Sequence, residues 1–262
     1  MSESGLEPVI DRKNSRNIIE IKDLTKVFGD GVEVRALNRI SLTIKEGEFL
    51  AIVGPSGSGK STLLNMIGLL DTPTSGSIIL KGVDVTSASP NQRANLRNRE
   101  LGFVFQYHHL LPEFSALENV MMPMLIAGMD KAQASERAHK LLSDVGLADR
   151  LHNRPSQLSG GQNQRVAVAR ALANSPSIVI GDELTGNLDS KTSRLIYDLL
   201  RDLNKQINQT FILVTHDMDM AEKTDRILRI VDGQLVCELR RQQDGWSQSD
   251  ACNHLEDGGL KH

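Results

Sequence analysis

Long apolar runs are missing from this chain of 262 residues. None approaches the roughly 18 consecutive apolar residues that a membrane-spanning helix needs. The best stretch, Val120–Gly128, is short and interrupted by Pro123. Cysteine is scarce as well. Cys237 and Cys252 are too few for a disulfide framework, so a reducing cytoplasm is the expected compartment. An excess of one charge is also lacking: 30 Lys and Arg stand against 33 Asp and Glu, a net charge of -3. That balance offers no bulk attraction to nucleic acid or to anionic lipid. The opening, MSESGLEPVIDRKNSRN, carries acids and no apolar core, which is not the pattern of a secretory signal. No internal repeat or low-complexity segment stands out. The expectation is a soluble chain that inserts into no membrane and binds no nucleic acid.

What is present is ordinary globular composition, 39% hydrophobic and 24% charged. The length suits one large domain or a compact pair of subdomains, at roughly 100–200 residues per domain. Residues 1–17 are polar and read as a flexible tail. From Ile18, alternation sets in: Ile19 and Ile21 with Glu20 and Lys22, then Ile40, Leu42 and Ile44 with Ser41 and Thr43. Gly29-Asp30-Gly31 supplies a turn between these early strands. Phe49–Val53 is a continuous apolar run, short enough for a strand buried on both faces, and a glycine-rich loop and a helix-like stretch follow it. Residues 91–173 are mostly helical in pattern. Ala134, Ala138, Leu141, Leu142 and Val145 mark one helical face, with Gly146 where a C-terminal cap belongs. Ile178–Ile180 and Phe211–Val214 restore the buried-strand signal, and Asp232-Gly233 reads as a tight hairpin turn. Beyond Glu238 the chain is polar, so 239–262 is taken as a second tail. The fold class is α/β: a parallel-sheet core with a helical insertion and a small β element at its front.

Gly54-Pro55-Ser56-Gly57-Ser58-Gly59-Lys60-Ser61, with Thr62 next, fits the phosphate-loop spacing. Its glycines let backbone N–H groups converge on phosphate oxygens, and the following helix adds its positive end. Lys60 is suited to the β and γ phosphates and Ser61 to magnesium. Ile178–Ile180 leads through Gly181 to Asp182 and Glu183. Asp182 is placed to hold the magnesium shell, as in other phosphate-loop NTPases, and Glu183 to orient or deprotonate the attacking water. A solvated acid pair is the ordinary reading of such a strand end; beside a phosphate loop it becomes the minority one. Leu158-Ser159-Gly160-Gly161-Gln162 precedes a second helix and makes another anion-binding N-terminus. Alone, Ser-Gly-Gly is an ordinary capped helix start. One nucleotide does not need two such sites, so the second is expected to cover ATP held by another chain.

Leu158–Gln162 resembles the signature of ATP-binding cassette proteins, and further motifs follow in that family's order. The resemblance covers residues 18–238. It implies a phosphate-loop NTPase (RecA-like) core with an N-terminal antiparallel β subdomain and a helical subdomain at about 91–173. It implies that Phe28 stacks on adenine, that Gln106 links magnesium to a transmembrane partner, and that Asn187-Leu188-Asp189 communicates between two ATP sites. His216 matches the switch histidine at the γ-phosphate. The cofactors implied are ATP and Mg2+, the latter held by Ser61, Gln106 and Asp182. The implied assembly is a head-to-tail dimer on separate integral-membrane subunits, peripheral at the cytoplasmic face of a bacterial inner membrane. Gln106–Val120, Leu70–Gly76 and Thr185–Asp189 are most similar to ATPases of the lipoprotein-releasing and macrolide-exporter group, which implies release of lipoproteins. Alternatives are a macrolide or peptide exporter, a cell-division complex, or a soluble cassette protein acting on ribosomes or DNA. Two positions depart from the family pattern: Leu184 stands where proline is usual, and Gly181 where alanine is common. Proline is expected to be tolerated at 184. His108 and His109 lack further ligands at metal spacing and are not read as a metal site.

Overall fold

The computed structural model describes residues 16–29, 31–242 and 245–248. Most of the expected N-terminal tail lies outside them, although Asn17 already belongs to the first strand. β1 (Asn17–Phe28) and β2 (Val34–Lys45) pair antiparallel, with Ile21 opposite Leu42. Their alternating isoleucines are buried, as a half-buried strand requires. β3 (Phe49–Val53) is buried at all of its positions and leads to α1 (Lys60–Ile67). β4 (Ser75–Leu80) and β5 (Val83–Asp84) then complete an antiparallel sheet of order β2-β1-β4-β5.

α2 (Pro90–Glu100) runs straight into β6 (Leu101–Phe105), an edge strand of the main sheet. This corrects the expected helical span of 91–173, which contains a strand. Packing decides it: a Cβ on Gly102 would lie 2.3 Å from the Ala171 carbonyl oxygen, so a helix end presses directly on β6. The helical layer proper is α3 (Ala116–Ile126), α4 (Lys131–Asp144) and α5 (Gly160–Ala171). α4 ends as its sequence suggested. Gly146 has φ 74, and Leu147 N–H donates to Leu142 O at 2.8 Å, closing a left-handed cap.

The rest of the chain is β7 (Ile178–Asp182), α6 (Ser190–Ile207), β8 (Thr210–Val214), α7 (Met218–Ala221), β9 (Arg226–Val231), β10 (Gln234–Gln242) and β11 (Gly245–Gln248). The main sheet has the order β11-β10-β9-β3-β8-β7-β6 and is parallel from β9 to β6. Asp232 and Gly233 both have positive φ, 47 and 73, as a two-residue hairpin turn demands. β10 continues past Glu238 to Gln242 and pairs with β11, so the expected tail boundary falls inside a strand. An edge hairpin tolerates polar residues on its open face, which is why its sequence resembles a tail. Residues 249–262 of that expected tail lie outside the described residues. Alternate residues of the central strands feed two cores. Val179, Phe211 and Leu213 join the helical layer, while Ile178, Ile180, Ile212 and Val214 join α1 and the antiparallel sheet.

Candidate functional site

β3, β8, β7 and β6 are neighbours, and their register keeps their carboxyl ends level. Ile52 and Asp182 both face Val214, and Phe105 faces Asp182. The phosphate loop leaves β3, Thr215 and His216 leave β8, Glu183 leaves β7, and Gln106 leaves β6. Topology alone therefore gathers motifs far apart in the chain at the edge where open parallel sheets bind ligands.

The loop is shaped by close backbone approach. A Cβ on Gly54 would sit 2.1 Å from Ile230 O, and one on Gly59 (φ 100) would sit 2.4 Å from Ala36 O. Only glycine fits between β9 and β2 at these two points. Lys60, the first residue of α1, is buried, and its Nζ donates to Gly54 O at 2.9 Å and Pro55 O at 2.7 Å. Pro55, Ser56, Gly57 and Ser61 are exposed, Thr62 is half-buried, and the buried Ser58 Oγ has no hydrogen-bond partner among the described residues. Phe28 closes β1 with its ring exposed and Lys26 Nζ 4.8 Å from the ring centre. Lys26 is in turn held by Asp71 at 2.7 Å.

Burial pushes the Asp182 carboxyl above the usual range, the neighbouring Glu183 adds to this, and Lys60 opposes it. A half-buried carboxylate so disfavoured fits a hard cation. The Ser61 hydroxyl and the Gln106 amide oxygen are of the same hard, all-oxygen kind, and with Asp182 they would suit magnesium. Gln106 Nε2 donates to Asn187 Oδ1 at 3.1 Å, which leaves its carbonyl oxygen for other use. Glu183 is left-handed, with φ 45. Its N–H donates to Val214 O at 3.0 Å, and its carbonyl accepts from Gly186 N–H at 2.9 Å. His216 Nδ1 lies 3.2 Å from Glu183 Oε1, so the two expected catalytic side chains meet. A cavity of about 260 Å3 beside them is lined by Thr185, Arg194 and Asp217 among others.

Leu184 turns inward and is 2% exposed. A Cβ on Gly181 would lie 2.4 Å from Leu184 Cδ2 and 2.8 Å from Leu213 Cδ2. The expectation that proline is tolerated at 184 is therefore revised, because the leucine side chain is core and proline would not reach its place.

The second helix start differs. Ser159 Oγ accepts from Gln162 N–H at 3.3 Å, and Gln162 Oε1 accepts from Ser159 N–H at 2.9 Å. This capping box uses Ser159 and Gln162 on each other. The N–H groups of Gly160 and Gly161 remain, in the first turn where no intrahelical acceptor exists. The signature's neighbours are Leu188, 3.3 Å from a Cβ on Gly160, and Thr192, 2.6 Å from one on Gly161. Leu158 packs half-buried on the helical core. Asp189 caps α6, accepting from Thr192 N–H at 2.9 Å and from Thr192 Oγ1 at 2.7 Å. Asn187, Leu188 and Asp189 therefore connect Gln106, the signature and α6.

The structural roles of three residues escaped the sequence reading. Arg170 donates to the carbonyls of His108 and His109, each at 2.6 Å, and holds both residues at positive φ. His108 Nε2 lies 3.1 Å from Gly160 O, so that nitrogen carries the proton, while burial pushes the ring's pKa down. Asn119, fully buried, fastens the 111–115 turn through Leu111 N–H at 2.8 Å and the carbonyls of Leu111, Phe114 and Ser115. A polar Asn in the apolar run 116–126 was the only signal available for any of the three.

Residues 37–186 match the family model described as ABC transporter. The lipoprotein-releasing system ATP-binding protein LolD of Shewanella denitrificans (strain OS217) is 50% identical over 222 residues, which span 84% of this chain and 95% of the relative. LolD of Legionella pneumophila (strain Paris) is 52% identical over 219 residues, 83% of this chain and 96% of the relative. Among solved structures, the ATP-binding cassette MJ0796, in a dimeric post-hydrolysis state bound to ADP and Pi, has a TM-score of 0.78 at 41% identity, covering 86% of this chain and 99% of that one. CbiO1 of Clostridium perfringens, part of the complex cbiONQ, has a TM-score of 0.77 at 28% identity, covering 85% and 88%.

Proposed function

The chain belongs to the ABC transporter ATP-binding proteins, ATPases that hydrolyse ATP for transport, and on that premise we propose that it powers the release of lipoproteins from a bacterial inner membrane. The observation that carries the chemistry is the level register of four strand ends, which brings Lys60, Asp182, Glu183, His216 and Gln106 to one edge. The loop N–H groups and Lys60 hold the β and γ phosphates, with Ser56, Ser58 and Thr62 completing the cradle, and the exposed Phe28 ring stacks on adenine. Ser61, Asp182 and Gln106 would hold magnesium, which when bound would neutralise charge on the phosphate oxygens. Glu183 accepts the Nδ1–H of His216, so its carboxylate is held in place to take the proton of the attacking water, and in the imidazolium form His216 also offers Nε2–H to the γ-phosphate.

The Cβ sites of Gly160 and Gly161 face Leu188 and Thr192, with no atom of the chain's own phosphate loop among their nearest neighbours. A second copy placed head to tail would bring the signature N–H groups onto its partner's nucleotide, giving two ATP molecules at the interface. ATP then closes the dimer, and hydrolysis with phosphate release reopens it. No helix among the described residues is long and apolar enough to cross a membrane. By its likeness to LolD, the chain is taken to act peripherally, at the cytoplasmic face, through integral-membrane subunits. Leu111 and Phe114 are exposed and Leu110 and Met122 half-buried, whereas Val120, Met121 and Met124 are core. The first four form the surface offered to a membrane subunit's helix.

Purification of the full chain from its host membrane should bring integral-membrane subunits with it. Those subunits in proteoliposomes should release a lipid-anchored protein only when ATP is added. Transport of a macrolide or peptide instead, or recovery with ribosomes or DNA and no membrane protein, would overturn this reading.

A further inference from the structure

We propose that Leu184 is a positioning residue for hydrolysis: its side chain, seated in the space that Gly181 leaves open, fixes the turn that aims Glu183. The proposal rests on the reading of Glu183 as the base and deepens it.

Glu183 adopts a left-handed backbone, which is unfavourable for a residue with a side chain and persists only when its surroundings hold it. On its strand side, the N–H bond to Val214 O holds it, and on its loop side the carbonyl accepts from Gly186. Between these two ties the next residue, Leu184, drives its side chain into the core shared with Val104, Leu213, Ile196 and Met220. Glu183 thus sits between a strand that cannot shift and a buried plug. The carboxylate it presents is 3.2 Å from His216 Nδ1, a separation that a small rotation of the turn would change.

The plug depends on glycine at 181. A methyl group there would claim space held by Leu184 Cδ2 and Leu213 Cδ2. Leu213 lies directly opposite Gly181 in the β7–β8 register, so the sheet fixes its backbone, and its side-chain end has the smaller overlap to relieve. Leu184 stands on a turn, so it is the one that yields. When it yields, it drags the residue to which it is peptide-bonded, and that residue is Glu183. The atoms nearest a Cβ on Gly181 belong to Leu184 and Leu213, and Leu184 packs in the helical-side core rather than in that of α1, so nucleotide binding has no reason to follow.

Steady-state ATPase and nucleotide-binding measurements on the full chain test this. Gly181→Ala should lower kcat about tenfold or more, since misplacement of a reacting group by about 1 Å can cost some hundredfold. Its KM and ATP affinity should stay within about twofold of the parent values. Adding Leu184→Val removes the colliding methyl and should bring kcat back to within about threefold of the parent. Leu184→Ala, which withdraws the plug without creating a clash, should show the same fall in kcat with affinity spared. The proposal is overturned if the Leu184→Ala kcat stays at the parent value, whether or not Gly181→Ala folds. It is equally overturned if kcat and ATP affinity fall together, or if the double variant recovers nothing. Glu183→Gln measured alongside separates the two levels. Retained turnover in that variant removes Glu183 as base, whereas its loss with unchanged Gly181→Ala and Leu184→Ala removes only the role of Leu184.

Discussion

The start of α1 and the start of α5 both offer backbone N–H groups to an anion, but only the first is surrounded by groups that can react. α1 follows a strand buried on both faces, and its lysine, Lys60, is itself buried. Asp182, Glu183 and His216 arrive beside it on neighbouring strand ends. α5 begins at an exposed Ser159 whose side chain is hydrogen-bonded to Gln162, with His108 Nε2 at the Gly160 carbonyl. The difference teaches that one helix start has charged and titratable groups gathered round it, while the other offers backbone N–H groups alone. On the proposed reading, two copies joined head to tail would make both sites whole.

The largest expected effect is on the reactive side. Glu183→Gln keeps the shape but removes the base, so turnover should fall by about 10²–10⁴-fold while ATP still binds. In ATP the variant should elute as a dimer on size exclusion, because closure outlasts the missing hydrolysis. Unchanged turnover with monomer only would break the comparison at its first half. Lys60→Ala comes next. A charge-assisted hydrogen bond contributes about 1.5–3 kcal/mol, so ATP affinity should weaken roughly ten- to a hundredfold by calorimetry, and turnover should follow.

Ser159→Ala should do less and do it elsewhere. Loss of the N-cap should cost about 1 kcal/mol of stability and, if the N–H groups are displaced, weaken ATP-driven dimerisation by a few-fold. ATP affinity of the monomer should not change. A loss as large as that of Lys60→Ala would mean that the signature serves its own chain's nucleotide. The smallest effect on the isolated chain belongs to Leu111→Ser. An exposed position away from caps and cores shifts stability by only about 0.5 kcal/mol, so folding and ATP binding should be normal. Pull-down of the membrane subunits should nevertheless be lost. Retention of the complex would take Leu111 out of the docking surface.

Much of this molecule could be read from local pattern. Alternation in Ile19–Ile21 and Ile40–Ile44, the apolar runs at Phe49, Ile178 and Phe211, and the turn at Asp232-Gly233 each report on a few neighbouring residues. Their periods translate directly into burial. β6 did not read out, because a short strand next to a polar helix without buried residues carries no period of its own. The polar hairpin strand beyond Glu238 was taken for a tail for the related reason that an open edge asks little of its side chains.

By itself the sequence determined the chemistry available: a glycine-rich loop whose N–H groups can converge on phosphate, a lysine and serine behind it, paired acids at a strand end, and a capped helix start at the signature. These are properties of residue type and near spacing, and they hold wherever the segment lies. Tertiary structure alone decided which of them meet. The register of β3, β8, β7 and β6 set His216 against Glu183 and Gln106 against Asn187. Arg170, from α5, held His108 and His109 at positive φ. Leu184 filled the space over Gly181, an arrangement invisible in the sequence even though only two residues separate them. Such contacts depend on how strands align and on how much room a side chain finds in a close-packed interior, quantities that no local pattern encodes.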